Sequence, residues 1–551
     1  MKTLGVMRVM FLFVALILSA ATAYVSPAQA SGKTITVNSI ADPGDGKCDK
    51  SECTLREAIA EASSGSTIKF DLPDKATIIL DDKQLTINKN LTIDGSTAKK
   101  LTVSGGDKSR VFEITKGAKG TVTMKGFSII DGDADGDGGA IKNSARLILS
   151  DMTVRGNDAE GDGGGIWNSG WLEVHDSTVQ DNDTDVGSGG GIYNSKILIL
   201  DNSTLRANEA KMDGGGIWNR YRMAINKSTI RDNKASGSGG GLFIKARSGD
   251  AIIIDSTFRA NEASSGGGIA NFGSLGIKDS KFWENESSGG AGAIFNDQEV
   301  VVRRSKFKNN RSGGSGGAIV NLNDITVEDS TFENNSSSRS AGALYSDGSM
   351  RLDDNIFTKN RAGQDGGAIW AESRSSINNT TISNNYAKRN GGGITIDAGI
   401  RINNSTITDN QADGEGGGLR NQSGVSYQNT IIAGNRAPKN SDCSDRRRSL
   451  SLGYNLVGKT CPTIASDLVL GKGDLAGLTI DDVLDKLADN GGPTETHALV
   501  KDSPAIDAGN PDGCTNSDGR EFRKDQRGKK RTVDGDKDGK KICDIGSYEK
   551  Q

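Results

Sequence analysis

An aliphatic residue returns at one fixed phase along most of the chain. It stands at Ile141, Ile166, Ile192, Ile217, Leu242, Ile269, Ile294, Ile319, Leu344, Ile369, Ile394 and Leu419, behind a small residue and a Gly-Gly or Ala-Gly pair. Successive spacings are 25 or 26 residues, apart from 27 between Leu242 and Ile269, where the surplus is assigned to the loop Arg247-Ser248-Gly249-Asp250. A period this regular means stacked equivalent units. Each unit holds two or three short strand patterns. One starts at the aliphatic, as in Gly165-Ile166-Trp167-Asn168; one alternates, as in Ile325-Thr326-Val327; one reads Ser330-Thr331-Phe332-Glu333-Asn334-Asn335. Strands this short, separated by Gly, Asp, Ser and Asn, are marginal as isolated hairpins. Wound into coils, they pair with their equivalents above and below, ~4.8 Å apart. The expected fold is all-β: a single-stranded right-handed parallel β-helix.

Two asparagine series support the winding. One follows the third strand, from Asn157, Asn182 and Asn208 to Asn410 and Asn435; the other lies two residues after the aliphatic, as in Asn143, Asn168, Asn194 and Asn219. A buried amide without partners costs about 1–3 kcal/mol. Stacking removes that cost, because each amide can donate to its neighbour. Asn also tolerates the left-handed backbone expected at a coil corner.

The ends read differently. Lys2 and Arg8, the apolar run Val9 to Ala23 and Ala28-Gln29-Ala30 form an export signal over 1–30, with Ser31 as first mature residue. Residues 31–66 form an N-terminal cap, in which Thr54-Leu55-Arg56-Glu57 is a capping box opening a helix with Leu55, Ala58, Ile59 and Ala62 on one face. Irregular first coils fill 67–137, regular coils 138–435 and a C-terminal cap or surface domain 436–551. Six cysteines, all outside the regular coils, cluster as Cys48–Cys53, Cys443–Cys461 and Cys514–Cys543. Disulfides of an oxidising compartment are the expected use. No later segment is long and apolar enough for a membrane span.

These motifs carry resemblances. Gly-Gly-Ala-Ile at 138–141, 316–319 and 366–369, with Phe-x-x-Asn at 258–261, 282–285, 307–310, 332–335 and 357–360, resembles the repeats of polymorphic outer-membrane proteins. Cys53-Thr-Leu-Arg-Glu-Ala58 resembles the N-terminal CSLREA module of exported β-helix proteins, with Thr in place of Ser. Gly453–Gly458, Leu487–Thr494, Ser503–Gly509 and Cys543–Glu549 are similar to a choice-of-anchor Q C-terminal domain. The resemblances imply a secreted or cell-surface protein. Pectate lyases share the expected architecture, so a pectin-lyase-like polysaccharide lyase or glycoside hydrolase is the rival to a structural or adhesive module. Fold alone does not choose between them.

Candidate chemistry is sparse. Gly makes up 74 of 551 residues and Pro 8, and the net charge of −4 implies no nucleic-acid partner. The basic run Arg520 to Arg531, interrupted by Glu521 and Asp525, reads as a solvated loop. The residue after each aliphatic must point outward. Seven of those twelve are aromatic, namely Trp167, Tyr193, Trp218, Phe243, Phe295, Tyr345 and Trp370, in a chain with 5% aromatics. They are the candidate ligand-binding residues, for a polysaccharide or other cell-surface component. The competing reading is an intramolecular stack covered by the C-terminal domain. None of the twelve is a carboxylate, so no catalytic residue is assigned. His175 is expected to face solvent and His497 to be a structural hydrogen-bonder. Calcium is the sole cofactor considered, at Asp534, Asp536 and Asp538, with Asp133, Asp135 and Asp137 as a weaker echo.

Overall fold

A computed structural model describes residues 32–245, 249–445, 449–458 and 470–551. The expected signal sequence, Cys461 and half of the surplus loop lie outside the described residues. The chain divides into two compact units, one up to Gly276 and one from Ile277. Each is a parallel β-solenoid.

In the first unit a coil contains four strands rather than two or three. One coil runs Ile166–Asn168, Trp171–His175, Thr178–Gln180 and Asp183–Thr184. The equivalents of these strands form four sheets, called here first to fourth in that order. The fourth strand, two residues long, has too little alternation to show in sequence. The inward side chains Ile166, Leu172, Val174 and Val179 are buried. Stacking begins earlier than the regular repeat. Thr34–Val37 pairs with Ser66–Phe70, which pairs with Leu91–Asp94, and the ladder continues through Thr121–Lys125 to Arg146–Ser150. Residues 67–137 are therefore true coils with irregular turns.

Both asparagine series are realised. Asn157, Asn182, Asn208 and Asn233 are buried, and each donates from Nδ2 to Oδ1 of the next at 2.8–2.9 Å. Asn143, Asn168 and Asn194 do the same at 2.7 Å. The left-handed residue is not the ladder asparagine but the one before it: Asp181, Ala207 and Asp232 have φ of 51–56°. The ladder residue must aim its amide inward, so the outward neighbour takes the corner. A second left-handed corner, at Asp176, Asn202 and Lys227, precedes a serine column in which each backbone N–H donates to the next serine hydroxyl at 3.1 Å.

The helix Leu55–Glu61 forms with both halves of its capping box, and Leu55, Ala58 and Ile59 are buried. Cys48 is bonded to Cys53.

The second unit repeats the four-strand coil. Here Phe282, Phe307, Phe332 and Phe357 point inward and stack face to face at 4.5–4.8 Å, which is what the Phe-x-x-Asn motif encodes. The coils continue past the repeat through Cys443–Asp445, Leu450–Ser451, Leu456–Val457 and Leu475–Ala476. An antiparallel pair, Leu484–Ala488 with Thr496–Leu499, follows. The remaining chain folds back along the third sheet. Thr381 Oγ1 bonds Gln526 at 2.7 Å and Ser547 at 2.9 Å, Thr406 Oγ1 accepts from the Ser547 N–H at 3.1 Å, and Asn429 Oδ1 accepts from the Asn510 N–H at 2.9 Å. Ile431, Val483, Leu499, Ala505 and Ile545 form the apolar contact.

This docking corrects the reading of the basic run as a solvated loop in part: Arg520, Arg523, Lys524, Lys529 and Lys530 are exposed, but Arg527 and Arg531 are not. Arg531 is wholly buried against Glu549, and Arg527 pairs with buried Asp525 at 2.6 Å. Buried guanidinium groups need such partners, and the acids that supply them interrupt the run or follow it. Cys514 is bonded to Cys543, and Cys443 is disulfide-bonded. No helix among the described residues is long and apolar enough to cross a membrane.

Candidate functional site

The outward residues of the first sheet stand in register. In the first unit Lys142, Trp167, Tyr193, Trp218 and Phe243 align coil upon coil. Tyr193 and Trp218 stack at 4.3 Å with planes 6° apart, and Trp218 and Phe243 at 6.1 Å and 8°. Such a stack turns ring faces toward one another and ring edges outward. Lys142 Nζ lies 4.9 Å from the Trp167 ring and Lys245 Nζ 5.4 Å from the Trp218 ring. Trp218 is only 6% exposed. Outward residues can thus be nearly buried, because the glycine turns pass close over them: a Cβ on Gly138 would lie 3.2 Å from the Trp167 Cβ. Burial, then the nearby Asp162 charge, pushes the Tyr193 phenol up to about 12.

In the second unit Phe295, Val320, Tyr345, Trp370, Thr395 and Arg420 align. Tyr345 and Trp370 meet edge to face at 6.1 Å and 70°. Here carboxylates join the rings, a feature invisible when only outward strand positions are considered. Trp370 Nε1 donates to Asp397 at 2.9 Å. Burial, then a hydrogen bond to Glu372, pushes the Tyr345 phenol up. Burial also raises the Glu372 carboxyl, and the Asp347 and Asp397 charges add to it. All three acids follow their aliphatic by three residues, so they form a column beside the rings. The docked C-terminal segment lies along the third sheet and does not bond to Tyr345 or Trp370 among the described contacts.

Both histidines are tied into networks. His175 is half-buried, with Nε2 3.4 Å from Glu173 and Nδ1 3.8 Å from Asp201, and the hydrogen bond to Glu173 raises its pKa. Arg146 reaches Glu173 at 2.8 Å from the coil below. His497 is buried, pairs with Ser383 Oγ at 2.8 Å through Nε2, and donates from Nδ1 to the Asp485 carbonyl at 2.8 Å. It borders a cavity of about 510 Å³ with Lys359, Asp409, Arg436, Lys486 and Glu495. Ser383 has no exposed surface. Nucleophile chemistry needs an accessible oxygen, so this pair fits a structural contact.

Among the described residues, the acidic group compact enough for a cation is Asp507, Asp534 and Asp536. Asp538 instead pairs with Lys540 at 2.9 Å. Sequence reasoning missed Asp507 because it lies 27 residues before Asp534.

The profile of right-handed beta helix regions matches residues 223–355, and that of the Chlamydia polymorphic membrane protein repeat matches residues 356–372. The fold is a right-handed parallel β-helix. A mannuronic acid specific family 6 polysaccharide lyase from human gut microbiota is similar at 11% identity and a TM-score of 0.30, over 81% of this chain and 91% of that one. Pectate lyase Pel9A is similar at 10% identity and a TM-score of 0.23, over 95% and 98%. Likeness at this level carries no argument about activity. No curated protein matches the chain.

Proposed function

We propose that this protein is an exported, surface-associated β-helix that acts as a structural or adhesive module and binds polysaccharide through its outward aromatic residues. The signal-like N-terminus, the end-module resemblances and the short polymorphic-membrane-protein repeat support surface association. The observation that carries glycan binding is the pairing of Trp370 and Tyr345 with Asp397 and Glu372. Sugars are recognised by apolar ring contact together with charged hydrogen-bond acceptors at its edge. The stacked Tyr193, Trp218 and Phe243 of the first unit can offer only edges, so theirs is the weaker contact. A second reading, glycoside hydrolysis, is favoured by the raised Glu372 carboxyl beside Asp347 and Asp397, since such chemistry needs one protonated and one ionised carboxyl.

A glycan array probed with wild type and Trp370→Ala tests both. Loss of the indole is expected to weaken binding by about 1 kcal/mol or more, roughly fivefold or more. A wild type that binds no glycan, or a folded variant that binds equally, would overturn the reading. Reducing-sugar release that disappears in Glu372→Gln would establish the hydrolase instead.

A further inference from the structure

Elsewhere in this protein a ring beside a carboxylate carries a cation. In the first unit Lys142 Nζ lies 4.9 Å from the Trp167 ring and 3.2 Å from Asp137. In the second unit the Tyr386 hydroxyl donates to Asp413, and the Arg361 guanidinium lies 4.2 Å from the Tyr386 ring. The cation is drawn in each case to the negative face of the ring as well as to the acid.

Tyr345 and Trp370 have the rings and the acids without the cation. Trp370 Nε1 donates to Asp397 at 2.9 Å, Tyr345 is hydrogen-bonded to Glu372, and Gln422 gives Asp397 a second, neutral donor. Among the described residues no lysine or arginine lies over either ring or pairs with Asp347, Glu372 or Asp397. The ladder holds these acids on neighbouring coils. The Glu372 N–H bonds the Ser346 carbonyl at 2.8 Å, and the Asp397 N–H bonds the Ala371 carbonyl at 2.9 Å. Like charges opposite one another on adjacent coils are unfavourable. Burial raises the Glu372 carboxyl, the Tyr345 hydrogen bond opposes this, and the Asp347 and Asp397 charges raise it further.

We propose, resting on the glycan-binding reading of the same rings, that this site takes a polysaccharide of amino sugars whose amines are free and protonated. Such a sugar lays its C–H face against an aromatic face. Its ammonium then completes the arrangement of ring, acid and cation that Lys142 and Arg361 complete elsewhere. An ammonium brings three donors and no acceptor, so it can answer adjacent carboxylates and relieve their repulsion. A uronic acid or sulfated sugar would add to that repulsion. N-acetylation removes the charge and keeps the sugar ring, which makes it the discriminating change.

The probes are a glucosamine tetramer and its fully N-acetylated counterpart, titrated into the whole protein by calorimetry at about pH 6, below the usual range of an amine. Wild type is expected to bind the free-amine tetramer at least about tenfold more tightly, with the preference shrinking as salt rises. Glu372→Gln/Asp397→Asn keeps acceptors for Tyr345 and Trp370 and removes both charges. It should erase the preference and leave the N-acetylated tetramer's affinity and the β circular dichroism unchanged. If that variant fails to fold, Glu372→Gln alone, expected to reduce the preference about threefold, decides. Equal binding of the two tetramers by wild type would overturn the amine and leave glycan binding standing, whereas binding of neither would overturn both. A folded variant that keeps the preference, or spermidine binding as tightly as the free-amine tetramer, would also overturn the proposal.

Discussion

Asn335 shows what a single residue does in this fold. Its Oδ1 accepts from Asn310 Nδ2 and from the Asn310 N–H, while its Nδ2 donates to Asn360 and to the Phe307 carbonyl. A side chain that satisfies groups in the coils on both sides of its own can recur only at coil spacing, which is why the series was legible in the sequence. The corner was not, because left-handed positions accept Asp, Asn, Ala, Lys and Glu here and leave no single-residue signature. The acidic group at Asp507 was illegible for another reason: folding, not local spacing, brings it to Asp534. Asp507 Oδ1 and Asp534 Oδ1 are buried atoms without a hydrogen-bond partner. Burial raises the Asp507 carboxyl, and the charges of Asp536 and Asp534 raise it further, against hydrogen bonds from the Asp536 and Gly535 N–H groups. We propose that calcium occupies this group, since oxygen-only ligands suit a hard cation. Calcium should raise the unfolding temperature of the wild type; Asp507→Asn should abolish the shift and Asp538→Asn should preserve it. No shift in the wild type would dismiss the ion.

At the scale of elements, strand positions and inward faces were readable from alternation, whereas the docking of residues 483–551 along the third sheet was not. Its trace in the sequence is a change in the outward residues of that sheet. Lys306 and Lys308 occupy an open coil, and Thr381, Ser383, Thr406 and Thr408, all buried, occupy covered ones. One member of the docked segment makes the contact sensitive to acid. Burial lowers the His497 pKa, opposed by its bond to the Asp485 carbonyl and by the Asp409 charge. A histidine whose folded pKa is depressed contributes stability that is fully present above the unfolded value, about 6.5, and lost as pH falls through the folded one. Protonation would also set a second donor against the Ser383 hydroxyl. Hydrogen exchange in Thr496–Leu499 should therefore speed up as pH falls from about 6.5 toward 5, after correction for the intrinsic exchange rate. His497→Gln should remove that dependence. An unchanged profile in the variant would assign the acid sensitivity to other groups, such as the carboxylates lining the cavity.

At the scale of the whole molecule, coil stacking and covalent closure are largely separate devices, although disulfide-bonded Cys443 lies in a coil strand. Each coil of either unit is held by neighbours through parallel ladders and buried polar columns, so stability accumulates coil by coil. The two disulfides with both partners described lie elsewhere: Cys48–Cys53 closes a loop of five residues before the capped helix, and Cys514–Cys543 closes one of 29 within the docked segment. A closed loop of this size contributes on the order of 2–4 kcal/mol by restricting the unfolded chain. That contribution acts on the segment containing the loop, because nothing covalent ties it to a coil. Reduction should therefore leave the far-ultraviolet β signal nearly intact while lowering protease resistance at the N-terminal module and over residues 483–551. Peptides from the helix Leu55–Glu61 and from around Cys514 are the expected early cleavage products. Cooperative loss of the whole β signal on mild reduction would show instead that the ends hold the coils together, and that the stack does not sustain itself.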